Sequence, residues 1–428
     1  MSENVATDYG RMWAELGMNL PAHCALMNAI PTMYENAYLT QSDRPAGMAY
    51  FDFVMSEIHG LRIKELVDHK TAGGKVVGTF CLYVPEEIIR AHGAVGVGLC
   101  AGAEWGYNEV EKVLPRNTCA LIKSFMGFKM DRVCPYVESA DLLVGETTCD
   151  GKKKAYELLG EMADVYVMEL PQMKRDRDRE FWRAEVREFV MRLEELTGKT
   201  MTAESLTAAI AEVNGKRRAL QRIAAARAAD PAPISGKDAL LATQVAFYDD
   251  VPRFTAMVNT IADELDARVA AGEGAAAKGA KRVVLTGSPM AIPNWKTHDI
   301  IEKAGGVVVG EEMCTGSRYY DTLVPETPGA SLDEMIDEVA DKYLGINCAC
   351  FTPNDARCSD VVQMASDLGA DGIVHYSLQF CGPYQIEAVQ VERAARDVGV
   401  PFLKIDTDYS AEDVGQLSTR IEAFLEML

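Results

Sequence analysis

From Lys75 onward, short apolar runs alternate with longer amphipathic stretches, and the two periods are distinct. Lys75-Val76-Val77-Gly78-Thr79-Phe80, Val95-Gly96-Val97-Gly98-Leu99, Leu142-Leu143-Val144 and Val165-Tyr166-Val167-Met168 are too short for helices and rich in β-branched residues. They predict strands covered on both faces. Between the first two, Pro85-Glu86-Glu87-Ile88-Ile89-Arg90 opens a helix with proline near its first turn. From Pro171 to Ala228 the strand pattern stops. Phe181, Trp182, Val186, Phe189, Val190 and Leu193 recur at helical spacing, and Glu204 to Ala226 continues in the same manner. The low-complexity stretch from Ala270 to Gly279 marks a loop. After it the alternation resumes, with strands predicted at Arg282 to Thr286, Val307 to Gly310, Gly372 to Tyr376 and Pro401 to Ile405. Upstream of about Thr71, runs such as Tyr50-Phe51-Asp52-Phe53-Val54 carry apolar residues at helical spacing.

The expected fold class is α/β, with two Rossmann-like parallel-sheet domains, an N-terminal helical region and a helical connection. The divisions are 1–74 for the first helices, 75–170 for the first α/β domain, 171–280 for the connection and 281–428 for the second α/β domain. The two α/β segments share an architecture without any short-period repeat.

Charge narrows the partners. The 428 residues carry a formal net charge of -21, which argues against a nucleic-acid surface or a polybasic membrane anchor. The amino-terminal residues do not read as a signal peptide, and no apolar run approaches a membrane span. A cytoplasmic protein is expected. Its 11 cysteines are then free thiols, metal ligands or catalytic groups rather than disulfides.

In parallel sheets, ligands bind beyond the carboxyl ends of the strands. Cys81 and Cys100 end the first two strands, and Cys149 follows the third in Glu146-Thr147-Thr148-Cys149-Asp150-Gly151-Lys152-Lys153-Lys154. Cys119 stands at a helix start. Cys314 and Cys381 follow strands of the second domain, and Cys348 and Cys350 share a loop. Each alone reads equally as a small buried hydrophobe. Together they predict thiols converging on one cleft from two facing domains. Cys24 and Cys358 are assigned to helices as structural residues, and Cys134 to the opposite end of its strand. No C-x-x-C pair occurs. Thiolates dispersed in sequence but close in space suit an iron–sulfur cluster, with helix amino ends and lysines offsetting its charge.

Three other features carry less. Gly96-Val97-Gly98-Leu99-Cys100-Ala101-Gly102 has its third glycine one position late for a dinucleotide loop. Gly287-Ser288-Pro289-Met290 predicts a tight turn facing the cleft. Lys216-Arg217-Arg218 with Arg222 reads as a solvated helix face.

The combined motifs resemble the 2-hydroxyacyl-CoA dehydratase and benzoyl-CoA reductase superfamily. The matching residues are Gly78-Thr79-Phe80-Cys81, Leu114-Pro115-Arg116-Asn117-Thr118-Cys119, and Gly145 to Lys154. Cys100, Cys134, Glu312-Met313-Cys314-Thr315-Gly316, Cys348-Ala349-Cys350 and the tail from Thr407 to Arg420 resemble its double-cubane cluster branch. The resemblance implies a homodimer holding one [8Fe-9S] double-cubane cluster per subunit, ligated by six cysteines. It implies Cys119, Cys149 and Cys381 for one cubane. For the other it points to Cys100, Cys314 and one of Cys348 or Cys350, with Cys81 and Cys134 in reserve. It further implies low-potential electrons from a separate ATP-hydrolysing iron–sulfur activator and a small-molecule substrate. Glu146, Glu312 and His375 are candidate proton donors by position at strand ends. Lys152 and Arg318 are candidate cofactor-binding cations. The alternative is a subunit with a single [4Fe-4S] cluster in a 2-hydroxyacyl-CoA dehydratase or acyl-CoA reductase.

Overall fold

Two four-stranded sheets, parallel throughout, carry the described part of the molecule. The computed structural model describes the backbone from Ser2 to Leu428 and the side chains from Tyr9 onward. The first sheet orders β1 (Val76–Thr79), β2 (Val95–Gly98), β3 (Leu142–Glu146) and β4 (Val165–Met168) as β2-β1-β3-β4. The second orders β5 (Lys281–Gly287), β6 (Gly306–Glu312), β7 (Gly372–Leu378) and β8 (Phe402–Thr407) as β6-β5-β7-β8. The same order thus occurs twice, and the fold class is α/β as the alternation predicts. Each sheet reverses its winding between its first and third strands. Such a switch point leaves a crevice at the carboxyl edge. Every residue of β3, β6 and β7 is buried, which requires helices on both faces.

Helices Leu20–Tyr34, Ala49–Ser56 and Leu61–Thr71 precede the first sheet. Helices Asp176–Thr197, Ala203–Ala226, Gly236–Val245 and Val251–Ala271 lie between the sheets in sequence. Thr202, Ser235 and Asp250 cap the last three by accepting backbone N–H groups, and Gly272 ends the fourth at φ 69°. The connection is not a tether. Helix Gly236–Val245 is buried at every residue, and one continuous apolar core runs from the first helices through both sheets. Tyr38 meets Trp295 edge-on at 5.0 Å, and Arg44 pairs with the buried Asp238 at 2.9 Å.

One expectation fails here. Lys216 and Arg217 are not on a solvated face: they are 1 % and 0 % exposed. Lys216 binds Glu86 at 2.6 Å, and Arg217 binds Glu87, two acids from the first helix after β1. The glycine run is a packing device. Gly98 N–H donates to Phe247 O at 2.8 Å and Gly102 N–H to Ile292 O at 2.9 Å. A Cβ on Gly102 would sit 2.1 Å from Ala291 O, so only glycine lets these backbones meet.

The amino-terminal helices dock through imidazoles. His23 stacks on His59 at 5.1 Å, and Trp13 meets His23 at 4.4 Å. Burial, then the neighbouring His23, lowers the His59 pKa to about 3. Below pH ~6.5 the unfolded chain takes up a proton that folded His59 refuses, so stability falls as pH falls. The expected loss is about 1.4 kcal/mol per pH unit from pH 6.5 downward. Denaturant titrations between pH 7 and 5, followed by fluorescence, should show it, and His59→Leu should flatten the slope by about one proton. No described helix is long and apolar enough to cross a membrane.

Candidate metal centre

The carboxyl ends of both sheets open on one cleft of ≈ 1270 Å³. Cys81, Cys100, Cys119 and Cys149 line it from the first lobe, and Cys314, Cys348, Cys350, Cys358 and Cys381 from the second. Cys81 follows β1 and Cys149 follows β3, so they flank the first switch point. Cys381 follows β7 at the second, in the place that Cys149 holds in the first lobe. Ser288 and Pro289, after β5, also face the cleft. Cys358, assigned to a helix as structural, joins the lining from helix Asp355–Asp367, whereas Cys24 is exposed and Cys134 caps the short helix Pro135–Ser139 away from the cleft.

Three of the cleft thiols stand at helix N-caps. Cys119, Cys149 and Cys381 are the N-cap residues of Ala120–Met130, Asp150–Leu159 and Gly382–Asp397. Free N–H groups at those ends favour a thiolate. Cys381 neighbours Cys119 across the lobes, and its thiol, with the helix-end N–H groups of Leu121 and Ile122, holds the Cys119 thiol below its ordinary range. Cys149 accepts Lys152 N–H at 3.4 Å, while burial pushes its pKa up.

A second group also spans the lobes. The neighbouring Cys81 draws the Cys314 pKa down, with Arg318 acting in the same direction. The neighbouring Cys350 helps lower the Cys348 pKa to about 5, and Arg318 again assists. Arg318 Nη1 stands 4.0 Å from Cys314 Sγ, and Tyr384 Oη 3.5 Å from Cys348 Sγ. Cys100 behaves differently. It donates to Phe80 O at 3.2 Å, and burial pushes its pKa up to about 12.

The charged candidates sit behind this wall. Glu146 is fully buried and pairs with Lys152, the one of the two that lines the cleft. Against burial, Glu146 holds the Lys152 ammonium well above its ordinary value. Glu312 receives Arg318 and, at 3.0 Å, Arg357, which also pairs with Glu387. Neither glutamate reaches the cleft lining. His375 departs furthest from expectation. It lies mid-strand in β7, paired in register with Thr286 and Lys404, and burial followed by Arg357 lowers its pKa to about 3. A neutral imidazole enclosed in a sheet has no proton to give the cleft.

Sequence reading missed four contributors. Tyr384 and Lys174 carry no motif. Cys358 was masked by its helical pattern, and Glu86, which lines the cleft with Tyr319, looked like an ordinary first-turn acid. Lys174, just before helix Asp176–Thr197, bonds Gly345 O, Ile346 O at 2.9 Å and Asn347 Oδ1 at 2.6 Å, and covers the Phe351 ring at 4.4 Å. It staples the loop that carries Cys348 and Cys350. Lys174→Met should make those two thiols alkylate about tenfold faster in iron-free protein, the equivalent of one strong hydrogen bond. Mass spectrometry of the labelled peptide reads the rate.

Among the described residues, no three His, Cys, Asp or Glu side chains converge as a single metal ion requires. A cubane asks for something else. Its cysteines bind different iron atoms and so surround a volume instead of a point. Paired thiols, helix amino ends and the cations Lys152 and Arg318 around an enclosed cleft fit such a group.

A model of the family described as 2-hydroxyglutaryl-CoA dehydratase, D-component, matches residues 81–428, from Cys81 just after β1 to the last residue. The chain belongs to this family. YjiM of Escherichia coli (strain K12), provisionally named a dehydratase subunit, is 41% identical over 386 residues, covering 89% of this chain and 98% of its own. The (R)-phenyllactyl-CoA dehydratase beta subunit of Clostridium sporogenes is 26% identical, over 85% and 95%. One of the benzoyl-CoA reductase subunits of Thauera aromatica is 21% identical, over 80% and 87%. The family match begins at Cys81, whereas the YjiM alignment is longer than that span and so extends into the helices before it.

Proposed function

We propose that this family member is an iron–sulfur reductase holding an [8Fe-9S] double-cubane cluster in the cleft. The observation that carries the reading is the single cleft lined by cysteines of both lobes, in which Cys119 neighbours Cys381 and Cys81 neighbours Cys314. Cys119, Cys149 and Cys381 would hold one cubane. Cys81, Cys314 and Cys348 would hold the other, with Cys81 preferred to Cys100 because the Cys100 proton is committed to Phe80 O. When bound, such a cluster supplies electrons at low potential. Helix N–H groups and Arg318 stabilise the thiolates, Lys152 is held in place by Glu146, and Lys174 fixes the Cys348 loop. The electrons would come from an ATP-hydrolysing [4Fe-4S] activator, and a homodimer follows from the same resemblance.

The substrate would be small. The described cleft lining offers two basic side chains, Lys152 and Arg393, and the first is taken up by Glu146. The phosphates of a CoA thioester call for more donors than that. The second reading is a [4Fe-4S] subunit that works beside a different partner chain, and the relatives named as beta subunits favour it. Iron per chain after oxygen-free purification separates the two: about eight supports the double cubane and about four the single one. A colourless, iron-free preparation would sink both.

A further inference from the structure

Tyr384 stands between the two thiol groups. It is the third residue of helix Gly382–Asp397, one turn or less from Cys381, the residue at the N-cap of that helix. Its hydroxyl lies 3.5 Å from Cys348 Sγ. The hydroxyl oxygen accepts from Arg318 Nη1, which leaves its own proton free to be given to the sulfur. Arg318 in turn is gripped by the Glu312 carboxylate and by Glu312 O at 3.1 Å. Tyr384 and Arg318 are 6 % and 7 % exposed, so neither contact is diluted by water.

The two sides of the cleft therefore differ in kind. Around Cys119, Cys149 and Cys381 the positive charge is that of backbone N–H groups at helix ends, about half an elementary charge per helix, plus the Glu146-paired Lys152 ammonium acting on Cys149 with no hydroxyl between the two. Around Cys314 and Cys348 it is a whole guanidinium and a hydroxyl polarised by it. Hydrogen bonds to sulfur and nearby cations stabilise the reduced, more negative state of an iron–sulfur group.

We propose that the Tyr384 hydroxyl, oriented by Arg318, poises the Cys81–Cys314–Cys348 side of the cofactor at the higher reduction potential, so that the first electron rests there. This rests on the double-cubane reading. The balance is simple: a low-potential iron–sulfur donor loses one electron, that side of the cofactor gains it, no bond breaks, and Tyr384 keeps its proton. Tyr384 is a tuning residue that acts through Cys348.

Tyr384→Phe deletes the hydroxyl and leaves the backbone of the helix that Cys381 starts unchanged, so it separates the two sides. Wild-type and variant proteins, loaded and purified without oxygen, are titrated potentiometrically and followed by electron spin resonance. The expected result is unchanged iron near eight per chain, by the double-cubane stoichiometry, and a more positive couple displaced to lower potential. Loss of one hydrogen bond to sulfur corresponds to about tenfold in the one-electron equilibrium, or about 59 mV. The other couple stays in place. Tyr319→Phe, which removes a cleft hydroxyl bonded to Glu86 instead, should move neither. Eight irons with both couples displaced alike, with neither displaced, or with only the lower one displaced overturns the inference alone. So does loss of iron from Tyr384→Phe, since a tuning hydroxyl is not needed to hold metal. A wild-type chain with about four irons and one couple overturns the double-cubane reading and this inference with it.

Discussion

A chain carrying Cys381→Ala, purified without oxygen, is expected to bind about half the iron of its parent, and Cys314→Ala should do the same. Each substitution removes one thiol from a different group and leaves its neighbour on the other lobe, Cys119 or Cys81, without it. Cys100→Ala is the contrasting case. Its thiol donates to Phe80 O at 3.2 Å, and removing it should leave the iron content whole. Metal analysis per chain and the spin-resonance spectrum decide the matter. If Cys100→Ala loses as much iron as Cys314→Ala, the choice of Cys81 over Cys100 is wrong.

The largest effect on stability is expected at Arg217. Its guanidinium and the Glu87 carboxylate are both 0 % exposed, and Tyr343 Oη joins them, accepting from Arg217 at 2.9 Å and donating to Glu87 at 2.7 Å. Against burial, which pushes it up, Arg217 holds the Glu87 carboxyl below its usual range. Arg217→Met leaves that buried carboxylate without its guanidinium, with the Tyr343 hydroxyl still bonded to it. Breaking a buried pair from one side costs about 3–5 kcal/mol. Denaturant unfolding should show a loss of that size, and adding Glu87→Gln should recover much of it, because the uncompensated charge is what costs. If the double variant is no more stable than Arg217→Met, the penalty comes from lost packing.

The same pair explains what a sequence can and cannot disclose. Strands were legible wherever apolar runs were short and turn signals bounded them, as at Val165–Met168, whose ends match the run itself. They were under-read at β6, where Glu311 and Glu312 look like an exit to solvent yet continue the strand. Arg227 neutralises the first, to which His298 is hydrogen-bonded, and Arg318 and Arg357 neutralise the second, so the ladder extends two residues further than hydropathy allows. Lys216 and Arg217 misled for the same reason. Their acidic partners lie 130 positions away, and a charge reads as exposed until its partner is known. At the cleft, the edge rule for parallel sheets located the cysteines, because it depends only on where strands stop. It could not say which thiol meets which. That depends on how two lobes lean together, which Gly98 and Gly102 fix through backbone bonds invisible to residue type. His375 looked like an end-of-strand group only because β7 was read two residues short.

Each thiol group draws from both sides of the long helical stretch, so no nascent chain can present either one in full. Cys119 and Cys149 leave the ribosome early and must wait for Cys381, near the far end, and Cys81 must wait for Cys314. Any inorganic guest that belongs in this cleft has to arrive after synthesis is nearly complete, and once seated it would act as a rivet added to lobes that one apolar core already joins.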